Sequence, residues 1–329
     1  MDSSWGPPHQ WVLIKKLRFD MVDAYLRILM RAVGFRSGSL FDDIRVIFDH
    51  KRFEVILEIA ARVEEMMAQE RNIPQTIEDP DNELSVSTVA LLAYARSRAY
   101  RLLGRLDEKR SEDTKLMTQY AKLQHFHGSA GPETALRLAY EFLDDGDTSR
   151  AVAQLHAVIS NYPREGREGF EWYYFTDLEA ADRIIEVLKQ NPRQLLEELD
   201  KIIATTKFPA VRLKAYMAKV QILGDQGELE AMVDTAFAAI TRDPEEAYMF
   251  YQNTVDFTSL VASAAFGIFE QKGDSAGYCR FAQELQARFP QRLVDAFATL
   301  RLAEFLANKN GDREVVRGLY QKNIEYFPG

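Results

Sequence analysis

Cysteine occurs once in this chain of 329 residues, at Cys279. That excludes an intramolecular disulfide and any cysteine-based zinc cluster, and it fits a reducing compartment, so a cytoplasmic location is expected. Proline (11) and glycine (17) are sparse as well, and a β-rich chain of this length would consume more of both at its turns. No apolar run approaches the ~20 residues that a membrane-spanning helix needs. Residues 1–10 lack the basic-then-apolar order of a secretory signal. Positive charge is not in excess, since 41 Lys and Arg against 50 Asp and Glu leave a formal net charge of -9. A nucleic-acid surface draws most of its affinity from clustered cations, so nucleic acid is not an expected partner. The densest basic stretch, residues 15–36, reads as the solvated face of an amphipathic helix.

Signatures of catalysis are missing too. There is no Gly-rich phosphate loop, HExxH, G-x-S-x-G or Cys-x-x-Cys. His125 and His127 have no carboxylate beside them to complete a metal site. Asp42, Asp43 and Asp49 do not have the spacing of a magnesium-binding aspartate motif, and Asp42 and Asp43 read as helix N-terminal residues. Asp144, Asp145 and Asp147 surround Gly146 without the twelve-residue loop of a calcium site. No enzymatic activity, cofactor or metal is expected.

What the chain has is helix-forming composition and a repeat. Hydrophobic residues make up 47% and charged residues 28%, the balance of globular material. Five segments, residues 151–163, 195–209, 232–244, 278–290 and 315–328, carry apolar residues at three- and four-residue spacing and end in proline. Proline disfavours helix at the residue before it, which gives the stop a cause. A second helix precedes most of them, over residues 133–143, 212–223, 260–271 and 296–307, with a tight turn between. Gly146, Gly227, Gly273 and Gly311 each stand 17 residues before the closing proline. Glycine suits the left-handed conformation that ends a helix, and the Asp after Gly146, Gly273 and Gly311 suits an N-cap.

This pattern resembles the tetratricopeptide repeat, a pair of antiparallel helices with a glycine-containing turn and a closing proline. Leu138, Ala139, Phe142, Ala151 and Leu155 fall on the family's apolar positions in one unit, Ala265, Phe269 and Ala282 in another, and Ala303 and Tyr320 in the last. The family's tryptophan is absent, and Phe266 and Glu304 replace its small residue in two units. The resemblance covers residues 132–328 and implies an all-α chain, an α-solenoid of antiparallel helix pairs wound as a right-handed superhelix. Two domains are expected, 1–128 with diverged helical hairpins and 129–329 with the repeat array. In the first, residues 20–33 read as an amphipathic helix. Residues 40–69 and 86–124 read as hairpins, and residues 72–83 as an acidic loop.

Successive closing prolines are 46, 35, 46 and 38 residues apart. Two units are therefore longer than the nominal 34-residue repeat, and both surpluses are aromatic. One holds Trp172, Tyr173, Tyr174 and Phe175, the other Tyr248, Phe250 and Tyr251 with Phe257. An extended first helix is the expected structure of each. Successive residues point about 100° apart on a helix, so one face does not bury all four rings of the first run. The aromatic runs are therefore candidate contact residues.

The resemblance also implies a groove lined by the first helix of each unit. Its positions fall on Glu133, Leu136 and Tyr140; Glu179, Asp182 and Glu186; Lys214, Met217 and Gln221; Leu260 and Ser263; and Arg301, Phe305 and Asn308. The carboxylates Glu179, Asp182 and Glu186 stand where the family's clamp for a C-terminal carboxylate carries Lys and Asn. The implied function is a scaffold or adaptor that binds a partner protein or peptide with basic and apolar character, as part of a larger complex. The alternative is a helical-repeat sensor that responds to a short peptide or small ligand. The last unit stops at its closing proline, and its apolar face is expected to be uncovered or covered by a partner.

Overall fold

A computed structural model of the protein describes residues 53–69, 75–79, 84–123, 129–162, 176–242, 247–250, 253–290 and 292–326. Thirteen helices and two short antiparallel ribbons occupy them. In chain order these are α1 (Phe53–Gln69), β1 (Thr76–Asp79), β2 (Leu84–Ser87), α2 (Thr88–Leu102), α3 (Leu106–Met117), α4 (Ala130–Asp144), α5 (Thr148–Asn161), α6 (Thr176–Leu188), α7 (Pro192–Thr205), α8 (Pro209–Gln226) and α9 (Leu229–Arg242). They continue with β3 (Ala247–Phe250), β4 (Asn253–Asp256), α10 (Phe257–Lys272), α11 (Ser275–Arg288), α12 (Leu293–Asn308) and α13 (Arg313–Tyr326). The chain forms two compact units, Met1–Glu141 and Phe142–Gly329. The expected helix at residues 20–33 and the first arm of the 40–69 hairpin lie outside the described residues.

The turn chemistry explains where α2, α4, α8, α10 and α12 stop. Gly104, Gly146, Gly227 and Gly273 adopt φ of 73°, 78°, 82° and 69°, the left-handed region that glycine enters without a Cβ clash. Asp147 and Asp274 then cap α5 and α11 by accepting from the backbone N–H of Arg150 and Gly277. In the last unit the left-handed residue is Asn310 (φ 56°), not Gly311. That turn has one more residue before its glycine, and asparagine tolerates this conformation. Two prolines start helices instead of stopping them. Pro192 and Pro209 open α7 and α8, where the missing N–H has no intrahelical partner to lose.

The aromatic surplus around Tyr248 is not an extension of the first helix. It forms the ribbon β3–β4, with Ala247 opposite Asp256 and Phe250 opposite Asn253, and α10 starts only at Phe257. Tyr248, Phe250, Thr254 and Val255 are aromatic or β-branched, types that fit a pleated strand better than a helix. Part of the expected acidic loop is likewise a ribbon, with Thr76 opposite Ser87 and Asp79 opposite Leu84. The two ribbons share a context: each second strand runs directly into a helix, α2 or α10. Each of those helices ends at a left-handed glycine, Gly104 or Gly273.

In the first unit, Ile56, Ala60 and Val63 of α1 pack with Val86, Leu91, Leu92, Ala95 and Ala99 in one apolar cluster. Beside it runs a chain of charges through four helices. Asp113 of α3 accepts from Ser97 Oγ (2.5 Å), Lys109 Nζ (2.6 Å) and Arg137 Nη2 (2.6 Å). Glu141 of α4 pairs with Lys109 (2.8 Å), Arg101 (2.8 Å) and Arg137 (3.1 Å). Arg96 joins Glu64 of α1 (2.6 Å) to Glu112 of α3 (3.3 Å). Asp113 is 2% exposed, and charges so deeply buried persist only when paired.

In the second unit, adjacent helices pack pairwise: α6 on α7, α8 on α9, α10 on α11 and α12 on α13. Each pair also meets the next, with α7 on α8, α9 on α10 and α11 on α12. This is a helical-repeat arrangement, in which each pair buries its apolar faces against its neighbours. Phe281 of α11 sits centrally, its ring centroid 5.0 Å from Phe266, 5.5 Å from Phe237 and 5.9 Å from Phe269.

Candidate functional site

The first helices of successive pairs lie side by side, α6 against α8, α8 against α10 and α10 against α12. Between α8 and α10 the approach is tight at Gly224, where a Cβ would fall 2.6 Å from Ile268 Cδ1. Only a residue without a side chain permits that contact. Two ion pairs tie neighbouring first helices together. Lys214 Nζ of α8 lies 2.6 Å from Asp182 Oδ1 of α6, and Arg301 Nη2 of α12 lies 3.0 Å from Glu270 Oε1 of α10. All four side chains are at least partly exposed, so these pairs contribute little stability. Their importance is positional, because they mark one side of each first helix as facing the same way as its neighbour.

At the α10–α12 end this surface dips into a pocket of about 300 Å³. Phe269 and Glu270 from the end of α10, Gly273 in the turn, Ser275 and Tyr278 of α11, and Arg301 and Phe305 of α12 enclose it. Tyr278 is the pivot. Its ring stacks on Phe305 with centroids 4.1 Å apart and planes 15° apart, and its hydroxyl donates to Arg301 O at 3.1 Å. Burial pushes the Tyr278 phenol up to about 12; nearby Arg301 opposes this, while Glu270 and Glu304 add to it. The hydroxyl is therefore a neutral donor at physiological pH. The Arg301 guanidinium spans Glu270 and, at 3.6 Å, Glu304, each carboxylate side chain being 45% exposed. Arg301 Nε is buried without a hydrogen-bond partner. Lys309 Nζ lies 5.9 Å from the Phe305 ring centroid. The pocket thus offers an aromatic wall, two accessible carboxylates and a cation held between them.

The structure brings some of the sequence-predicted residues together and leaves others apart. Arg301 and Phe305 line the pocket. Asp182 and Lys214 form the α6–α8 bridge. Glu186 is exposed and pairs within its own helix with Arg183 at 2.5 Å. Glu179 and Met217 are half-buried on α6 and α8. Asp182 and Glu186, expected to make this end acidic, are therefore matched by cations. Tyr140 is half-buried on α4 in the other unit. Tyr248 lies on β3, and Trp172, Tyr173, Tyr174 and Tyr251 fall outside the described residues. Sequence reasoning missed Glu270, Tyr278 and Glu304. Tyr278 stands at an apolar position of a second helix and reads as core; its one distinguishing signal is a hydroxyl in an otherwise apolar stripe.

Among the described residues no group of three or more His, Cys, Asp or Glu could hold a metal ion. No helix there is long and apolar enough to cross a membrane. Neither a family model nor a curated protein matches this chain.

Proposed function

We propose that the protein is a non-catalytic scaffold of tetratricopeptide-like helix pairs, which holds a partner protein or peptide on the face of α6, α8, α10 and α12. The reading extends to the right-handed superhelical winding that such pairs adopt. The observation that carries it is the alignment of first helices by Asp182–Lys214 and Glu270–Arg301. Residues of four helices, distant in sequence, then present one surface. Extended surfaces of stacked pairs suit peptide and helix recognition. The pocket gives that surface an anchor point: Phe305 and Tyr278 receive an apolar group, and Glu270 and Glu304 favour a basic one beside it. Its volume, at the lower end for small-molecule sites, supports a second reading, a sensor for a short peptide or small ligand.

A peptide display library selected against the full chain tests the proposal. Recovered peptides are expected to combine Lys or Arg with an apolar anchor. Phe305→Ala is expected to weaken them by about 30-fold, the loss of a hot-spot ring, measured well below the melting temperature of the variant, which falls because the ring packs on Tyr278. Small-angle scattering with and without peptide separates the readings, since a sensor changes its curvature and a scaffold keeps it. Binders that ignore both Phe305→Ala and Glu270→Lys would refute the site.

A further inference from the structure

We infer that the outer face of α13 is a second interaction surface, the seat of an amphipathic helix from another polypeptide with acidic residues along half of its seam and apolar residues along the other half. This surface is distinct from the pocket and does not depend on the function proposed for it.

The argument starts from how the chain fills the corresponding seat one pair earlier. On α11, residues 275, 279, 282 and 286 form a stripe at 4-3-4 spacing, which lies along one side of a helix. That stripe faces α12. Ala282 is fully buried, Gln286 Nε2 donates to Thr299 Oγ1 of α12 at 2.8 Å, and Ser275 lines the pocket opposite Arg301 and Phe305. The contacts run antiparallel: Gln286 near the end of α11 meets Thr299, while Tyr278 near its start meets Phe305 further along α12.

Moved forward by one pair, a shift of 38 residues from the first residue of α11, Ser275, to the first residue of α13, Arg313, the stripe becomes Arg313, Arg317, Tyr320 and Ile324. All four are exposed, Tyr320 at 37% and Ile324 at 67%. The inner side of α13 is already used. Asn323 Nδ2 donates to Ala296 O of α12 at 3.2 Å, and Lys322 reaches Asp295 at 3.4 Å. The outer stripe therefore continues, in register, an interface that the chain itself forms between α11 and α12. Among the described residues nothing covers it.

Its chemistry specifies the occupant. The small Ser, Cys, Ala and Gln of α11 give way to two arginines in the first half and to Tyr and Ile in the second. Neither Arg313 nor Arg317 has an ion pair within the described residues. A helix running antiparallel to α13, as α12 runs to α11, meets Tyr320 and Ile324 with its N-terminal half and the two arginines with its C-terminal half. Apolar residues in the first half and carboxylates in the second satisfy both.

The test uses the full chain and two synthetic helix-forming peptides of 18 residues. Both carry leucine on the seam of the N-terminal half; one carries glutamate on the seam of the C-terminal half, the other lysine. Fluorescence anisotropy is expected to show saturable binding of the glutamate peptide, weakened by added salt, and at least tenfold weaker binding of the lysine peptide. Ile324→Glu, and separately Arg313→Glu with Arg317→Glu, are expected to weaken the glutamate peptide at least tenfold. The melting temperature should stay unchanged, because these side chains are exposed. The inference is overturned if the two peptides bind alike, or if the glutamate peptide does not bind or ignores these substitutions. It is also overturned if sedimentation shows the unliganded chain dimerising and Ile324→Glu restoring the monomer, since a second copy then holds the seat.

Discussion

Replacing Asp113 with alanine probes the charge chain of the first unit most directly. Its carboxylate accepts from Ser97, Lys109 and Arg137 at 2.5 to 2.6 Å. The alanine variant leaves Lys109 and Arg137 buried, with Glu141 still paired to both. Removing one partner of a buried pair costs about 3–5 kcal/mol, because the other charge stays desolvated. For a unit of this size that corresponds to a melting shift of roughly 10–20 °C. Burial by itself raises the Asp113 carboxyl, but Arg137, Lys109 and Ser97 outweigh it and hold the group below its ordinary value. A lowered carboxyl stabilises above the unfolded value of about 3.9 and loses that contribution as pH falls through the folded value. The gap between wild type and Asp113→Asn should therefore be full at pH 6 and shrink below about pH 4. Urea denaturation followed by circular dichroism across this range reads both effects. Replacing the pair together, Asp113→Leu with Arg137→Met, should cost less than Asp113→Ala alone. A loss under about 1 kcal/mol for Asp113→Ala, or a gap that does not change with pH, would refute the reasoning.

Two further outcomes follow from the second unit. Gly224→Ala should cost about 1–3 kcal/mol by overpacking against Ile268, which is 2% exposed; chemical denaturation should show partial recovery when Ile268→Ala is added. His156 Nε2 lies 2.7 Å from Glu198 Oε2, with Lys201 on the other carboxylate oxygen. Burial lowers its proton affinity, Glu198 raises it and Lys201 lowers it, leaving it below the ordinary value. The unfolded chain thus binds the proton first, and stability should fall as pH drops below about 6.5, more in wild type than in His156→Gln.

Much of the helical repeat could be read from sequence because its signals are local. Each of Gly146, Gly227 and Gly273 ends a helix through its own φ, and Asp147 and Asp274 cap through contacts three residues away. The ribbon at Tyr248 was not legible, because aromatic residues serve helices and strands alike and the pairing with residues 253–256 is a tertiary choice. Pro209 was ambiguous for a related reason: the residue that forbids a helix behind it also favours one ahead. The candidate site was half legible. Arg301 and Phe305 follow from the groove positions that the tetratricopeptide resemblance implies, whereas Glu270 and Tyr278 join them through contacts between separate helices. The charge chain from Glu64 to Glu141 had no sequence signature, since charged residues at helical spacing read as a solvated face.

Because each pair in the second unit meets mainly its neighbours, its cohesion is shared out along a line. Helices α5, α7, α9 and α11 each bury several side chains, whereas no described side chain of α13 is buried and α13 packs mainly on α12. Thermal opening then starts at α13 and advances pair by pair toward the middle, as a zipper opens from a loose end. A helix seated on Tyr320 and Ile324 would close that end, so occupancy at the rim would slow unfolding of helices it never touches.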